Sequence, residues 1–181
     1  MPGKNVVYFD ENTSFRSLRK DYSLTFEQVY DDIIDFIKSD PDSSYRISVG
    51  TDSQVSKKTV FVSCIHVHRI GKGAIGFLHK TQIDRPIRSL REKIYMETLA
   101  SMQLAYLFND NKINRIQKLV QSHERSKGVF FEFHIDIGEK GQTKTLINEM
   151  VGMVRGLNFI PKIKPDSYCA SSFADRYTKA M

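Results

Sequence analysis

Two aspartates of this 181-residue chain each close an apolar, β-rich run: Asp52 in Gly50-Thr51-Asp52-Ser53-Gln54 and Asp136 in His134-Ile135-Asp136-Ile137-Gly138. Open α/β sheets hold their sites at the carboxyl ends of strands, so both positions are candidates for chemistry. If the two strands are parallel neighbours, the carboxylates lie side by side, and like charges so placed need a cation. Taken singly, an aspartate that ends a strand often does no more than cap a turn.

Two further acids fall on expected helices. Glu97 is in line with Leu90, Ile94, Leu104 and Phe108 at about 100° per residue, which puts a carboxylate on an apolar stripe. The competing register buries Tyr95, Leu99, Met102 and Tyr106 and turns Glu97 to water; periodicity leaves both open. Asp175, three residues after Ser172, is a candidate site acid and equally the acidic half of a capping box.

Cations surround these positions. Arg85, Arg88, Arg91 and Lys93 cluster where a strand enters the helix carrying Glu97, and Lys140 and Lys144 flank the turn after Asp136. Such residues can track a phosphate backbone, or form a merely solvated basic surface. His66 and His68 share one strand face and His134 stands beside Asp136; packing explains them as well as metal ligation does. The run Ile135-Asp136-Ile137-Gly138-Glu139-Lys140-Gly141 also reads as the phosphate loop of an actin-like ATPase, but one short domain lacks the second half that would close over a nucleotide.

The elements that must position these residues follow from spacing. Thr25 with Gln28 forms a capping-box pattern, and Phe26, Val29, Ile33, Ile34 and Ile37 recur helically up to the turn Ser39-Asp40-Pro41-Asp42. Asp31, Asp32 and Asp35 then form a solvated face. Apolar alternation predicts strands at 45–52, 59–70 and 73–83, an antiparallel meander with a turn at Gly71-Lys72. Helices are expected at 89–108 and 112–124, a strand at 129–136, a helix at 143–157, a strand at 159–163 and a last helix at 172–179. Pro161 lacks an amide donor and confines its strand to a sheet edge. The strand-helix-strand tail implies parallel pairing through right-handed crossovers, hence a mixed α/β sheet with helices on its faces. Residues 1–22, polar with scattered aromatics, read as an arm laid on the domain.

Bulk properties agree with one packed domain. Hydrophobic residues make up 40% and charged residues 27%, ordinary globular usage. No apolar stretch approaches the roughly 18 residues of a spanning helix, which argues against a membrane protein. Cys64 and Cys169 belong to no Cys-x-x-Cys pair and nothing at the N-terminus joins basic residues to an apolar run, so a reduced, cytoplasmic protein is expected. The net charge of +6 is divided: residues 1–45 hold 5 basic and 9 acidic residues, residues 46–181 hold 22 and 12. A basic body suits a polyanionic partner without demanding one.

The segment Val49-Gly50-Thr51-Asp52-Ser53-Gln54, Met96-Glu97 followed by Leu99, Ala100 and Ala105, and Ala174-Asp175 with Ala180 resemble the ribonuclease H-like superfamily, the first of them its bacterial YkuK-type branch. The resemblance covers about residues 45–180. In that superfamily one acid ends the first strand, one lies on the first long helix, one ends the fourth strand and one lies on the final helix. Asp52, Glu97, Asp136 and Asp175 fall on those positions in that order.

The resemblance implies an α/β fold with a mixed five-stranded sheet, order 3-2-1-4-5 with strand 2 antiparallel, helices on both faces and an N-terminal helical extension. Residues 1–44 would be the arm and helix, and 45–181 the ribonuclease H-like domain. It further implies a hydrolase: a metal-dependent nuclease cutting phosphodiester bonds in RNA or DNA, with two Mg²⁺ or Mn²⁺ ions and nucleic acid as partner. Asp52 would bridge both ions, Asp136 and Glu97 would complete one site, and Asp175 would complete the other or position the water. Arg85, Arg88, Arg91, Lys140 and Lys144 would contact nucleic acid. The alternative is a catalytically inactive nucleic-acid-binding or scaffold protein of the same fold. The short span between Ile163 and Ser171 leaves little room for a substrate handle or a histidine-bearing loop, so specificity for RNA-DNA hybrids is not implied. Substrate type, endo or exo mode and oligomeric state carry no sequence signature.

Overall fold

The computed structural model describes residues 7–10, 12–17, 19–121, 128–141 and 143–169. Its elements in order are β1 (Phe15–Ser17), β2 (Ser23–Leu24), α1 (Phe26–Lys38), β3 (Tyr45–Val55), β4 (Thr59–Arg69), β5 (Gly73–Ile83), α2 (Leu90–Tyr106), α3 (Asp110–Gln121), β6 (Val129–His134), a 3-10 turn (Lys144–Leu146), α4 (Ile147–Val154) and β7 (Ile160–Lys162).

All strands join one sheet in the order β2-β1-β5-β4-β3-β6-β7. β3, β4 and β5 pair antiparallel, while β6 lies parallel to β3 and β7 parallel to β6. The sheet therefore has seven strands rather than the five expected. The two additional strands come from the N-terminal arm, where β1 pairs with β5 through Arg16–Leu78 and Ser17–Phe77. Strands of two and three residues are too short to show alternation, so only tertiary pairing reveals them. β7 lies at the edge, where Pro161 omits no needed donor.

The faces of β3 separate by alternation. Tyr45, Ile47 and Val49 enter the main core, which also takes Val29, Ile33 and Ile37 of α1, Ile94 and Leu104 of α2, and Ile116 and Val120 of α3. α1 begins with the expected capping box: the Thr25 side chain accepts from Gln28 N, and Gln28 Oε1 accepts from Thr25 N at 2.9 Å. Asp31 and Asp35 are exposed, whereas Asp32 pairs with Lys20 at 2.8 Å.

The opposite face of the sheet carries a smaller cluster, Val62, Cys64, Leu78 and Cys169, with Val60 against it. Cys64 on β4 and Cys169 near the C-terminus are joined in a disulfide, correcting the expectation of two reduced thiols. Their separation of 105 residues hid the pairing, which only the topology of the sheet creates. Among the described residues no helix is long and apolar enough to cross a membrane.

Candidate active site

Asp52 and Asp136 are delivered by adjacent strands. β3 and β6 run parallel through the pair Gly50–His134, and each aspartate lies two residues beyond it. Asp136 thus follows the end of β6. Asp52 does not end its strand: β3 continues to Val55 because β4 still pairs with it, placing Asp52 opposite Val62. Asp52 is half-buried, and its Oδ1 accepts from Ser53 N at 2.8 Å.

Glu97 comes from the other side. α2 buries Ile94, Glu97, Thr98, Ala100, Ser101, Leu104 and Ala105 and leaves Tyr95 and Tyr106 exposed, which settles the two helical registers in favour of the buried carboxylate. Only 5% of Glu97 is accessible. Its Oε1 accepts a hydrogen bond from Ser53 Oγ at 2.6 Å, and the Lys93 ammonium, one turn earlier, lies at 3.6 Å. Burial pushes the carboxyl up to about 8; Lys93 and Ser53 pull it down, and the negative charges of Asp52 and Asp136 push it up again.

Hydroxyl groups fix α2 to β3 below this carboxylate. Ser101 donates toward Thr51 Oγ1 at 2.9 Å and lies 3.0 Å from the carbonyl oxygen of Glu97, while Thr51 and Ser63 hydroxyls meet at 2.8 Å. All three residues are buried, so each bond holds a group that would otherwise be costly to desolvate. Sequence reasoning overlooked Ser53, Thr51, Ser63 and Ser101. Their one sequence signal is the run of small polar residues Gly50-Thr51-Asp52-Ser53 inside a strand that is otherwise apolar.

Asp136 has a different partner. The Lys164 ammonium stands 2.7 Å from its Oδ1 as an ion pair, and that oxygen is shielded from solvent. Beside it opens a cleft of about 810 Å³ between the turn after β6 and the end of β7, lined by Asp136, Gly138, Lys140, Thr143, Lys162 and Lys164 among others.

The histidine next to Asp136 is held by hydrogen bonds on both ring nitrogens. His134 Nδ1 accepts from the backbone amides of Tyr168 and Cys169 at 3.1 and 3.0 Å, so its proton sits on Nε2 and is donated to Glu132 Oε2 at 2.9 Å. Burial would raise the Glu132 carboxyl, but His134 and then Arg46, 3.1 Å away, hold it below the ordinary range. His66 and His134 both pack edge-on against the Tyr168 ring.

Of the expected acids, Asp52, Glu97 and Asp136 are directed to the same end of the sheet, and Asp175 lies outside the described residues. Among the described residues no group of three or more His, Cys, Asp and Glu side chains is gathered closely enough to hold a metal ion. The donors fit a hard divalent ion in chemical type, and an ion at Asp136 would take the place of the Lys164 ammonium on its Oδ1. Of the expected cations, Arg85 is paired with Glu92 and Arg91 with Glu149, while Arg88, Lys140 and Lys144 are exposed.

Residues 28–179 match the family described as Ribonuclease H-like. The chain is 46% identical over 158 residues to a protein of Bacillus subtilis (strain 168) named "Uncharacterized protein YkuK", a match covering 86% of this chain and 92% of that one. No solved structure matches the chain. A matched span that contains all four acids, together with the mixed α/β sheet that brings three of them to one end, leads to one assignment: the chain belongs to the ribonuclease H-like family.

Proposed function

We propose that the protein is a divalent-metal-dependent nuclease that hydrolyses phosphodiester bonds in RNA or DNA, with Asp52, Glu97, Asp136 and Asp175 as the carboxylate donors. The observation that carries this reading is electrostatic. Asp52 and Asp136, each two residues beyond the Gly50–His134 pair on adjacent parallel strands, add to the burial that raises the proton affinity of Glu97 on a helix, so three acids face the same end of the sheet. A protein keeps such repulsion where a function requires it. Mg²⁺ or Mn²⁺, when bound, would supply charge neutralisation and an activated water. The chain's own part is to orient Glu97 through Ser53 and to balance the acids with Lys93 and Lys164 while no ion is present.

A second reading, a nucleic-acid-binding protein without hydrolytic activity, is favoured by those same two lysines, since the ammonium groups already offset the acids that an ion would need. Metal titration followed by cleavage assays on single-stranded, duplex, hybrid and branched substrates separates the two. Hydrolysis that requires Mg²⁺ or Mn²⁺ and drops more than about a hundredfold in Asp52→Asn and Asp136→Asn supports the nuclease. Variants that cleave as fast as the parent end that reading, and binding without cleavage by the parent establishes the second.

A further inference from the structure

We propose that the Cys64–Cys169 disulfide is a redox-responsive brace behind the two aspartates, tightening the junction of β3 and β6 when oxidised and loosening it when a dithiol reduces it. Its bearing on metal binding rests on the proposed function; the brace itself does not.

The position of Cys169 carries the inference. Cys64, Gly50 and His134 stand side by side in one row across β4, β3 and β6. Cys169 is joined to the first by its sulfur and to the third by its amide, which donates to His134 Nδ1 at 3.0 Å. It therefore spans the middle strand at Gly50, where a residue without a side chain lets the crossing segment approach the sheet. The ladder between β3 and β6 ends at this row, and Asp52 and Asp136 each lie two residues beyond it. A tie on the last rung limits how far the two carriers can part.

The brace can open without unfolding the body. Its sulfurs belong to the small cluster of Val62, Cys64, Leu78 and Cys169, on the face opposite the main core. Besides the disulfide, the Tyr168 and Cys169 amides bond to His134, and the Tyr168 ring packs edge-on against His66 and His134. Both sulfurs are buried, so a reductant reaches them only after that segment lifts. One thiolate of the dithiol then attacks a cysteine sulfur, and the other cysteine leaves as a thiolate that takes up a proton. The second thiol of the reductant resolves the mixed disulfide and releases the first cysteine. Two electrons pass to the protein, which gains two thiols, and the reductant ends as a cyclic disulfide.

The test is amide hydrogen exchange of the full chain, oxidised and after equilibration with dithiothreitol, well below either melting temperature. Reduction is expected to speed exchange about tenfold in peptides covering residues 50–54 and 134–137 and to leave α1 unchanged. Return to oxidised dithiothreitol should restore the protection, which a damaged fold would not do. Cys64→Ser with Cys169→Ser should match the reduced parent and ignore the reductant. Tyr168→Ala, which removes packing that holds the segment down, should speed reduction about tenfold. Mn²⁺ affinity, followed by calorimetry, should fall about tenfold on reduction. The inference is overturned by exchange that changes only at residues 163–169, by cysteines that stay oxidised until denaturant is added, or by Mn²⁺ bound equally well by both forms. The proposed activity fails separately. Redox-dependent exchange in a protein that neither binds Mn²⁺ nor cleaves leaves the brace standing and removes the nuclease, and metal-dependent cleavage with exchange untouched by reduction does the reverse.

Discussion

Ser53 on β3 donates its hydroxyl proton to Glu97 on α2 across 2.6 Å, giving a helix carboxylate that burial has pushed up to about 8 a fixed partner on the strand next to Asp52. One short bond thus links the central strand, the long helix and the protonation of the most buried acid in the site.

Glu97 makes stability depend on pH. Its folded value of about 8 lies above the ordinary carboxyl value of 4.5, so its contribution is complete below pH 4.5 and is lost as the pH rises through about 8. Glu97→Gln keeps an acceptor for Ser53 and cannot ionise. The variant should be more stable than the parent at about pH 9, by an amount on the order of 2–4 kcal/mol, and close to it at about pH 5. Urea unfolding at both pH values measures this; an equal difference at both would refute the buried, protonated carboxyl.

If Glu97 becomes a metal ligand it must give up that proton. Binding of Mn²⁺ or Mg²⁺ at neutral pH should therefore release close to one proton from this residue, and apparent affinity should rise with pH until about 8. Calorimetry in two buffers of different ionisation enthalpy reports the release directly. Heats that are identical in the two buffers would show that Glu97 does not join the ion.

His66 acts in the opposite range. Burial first, and then electrostatic interaction with His68, His134 and Arg46, lower its value to about 4 from 6.5. The folded state holds the neutral ring, so this contribution is intact above pH 6.5 and disappears as the pH falls toward 4. The total is on the order of 3 kcal/mol. Melting curves of His66→Gln between these limits should be flatter than those of the parent; parallel curves would discount the residue.

The Cys64–Cys169 bond closes a separation of 105 residues. Chain entropy for a loop near that size gives about 4.7 kcal/mol, which for a domain of this length is roughly 10 °C or more in melting temperature. Reduction, or the paired change Cys64→Ser and Cys169→Ser, should lower the transition by that amount. A parent whose mass under non-reducing conditions shows two free thiols would contradict the pairing.

Much of this architecture can be read locally. The Thr25–Gln28 box and the spacing of Ile33, Ile34 and Ile37 define α1 because helix signals lie within a few residues of one another. The β3–β5 meander was legible from alternation and turn residues for the same reason. Glu97 was ambiguous because α2 carries apolar side chains on both sides; Tyr95 and Tyr106 prove to be the exposed ones. What escaped was non-local. β1 exists because β5 offers it an edge, the cysteines meet because the sheet places them together, and Ser53 matters because a helix more than forty residues away packs over it. The continuation of β3 past Asp52 was missed because its antiparallel partner outlasts its parallel one.

The short strands of the N-terminal arm have one more consequence. β1 occupies the outer side of β5 at Phe77 and Leu78, the Arg19 guanidinium donates to the Ala74 carbonyl, and the Ser14 carbonyl meets His79 Nδ1 at 2.8 Å. At the far margin β7 is only three residues long and contains Pro161. A second molecule seeking to extend the sheet finds a broken row of donors and acceptors at either border instead of eleven consecutive partners, which blocks fibre-like growth between copies and lets so apolar a β3–β5 unit stay dispersed.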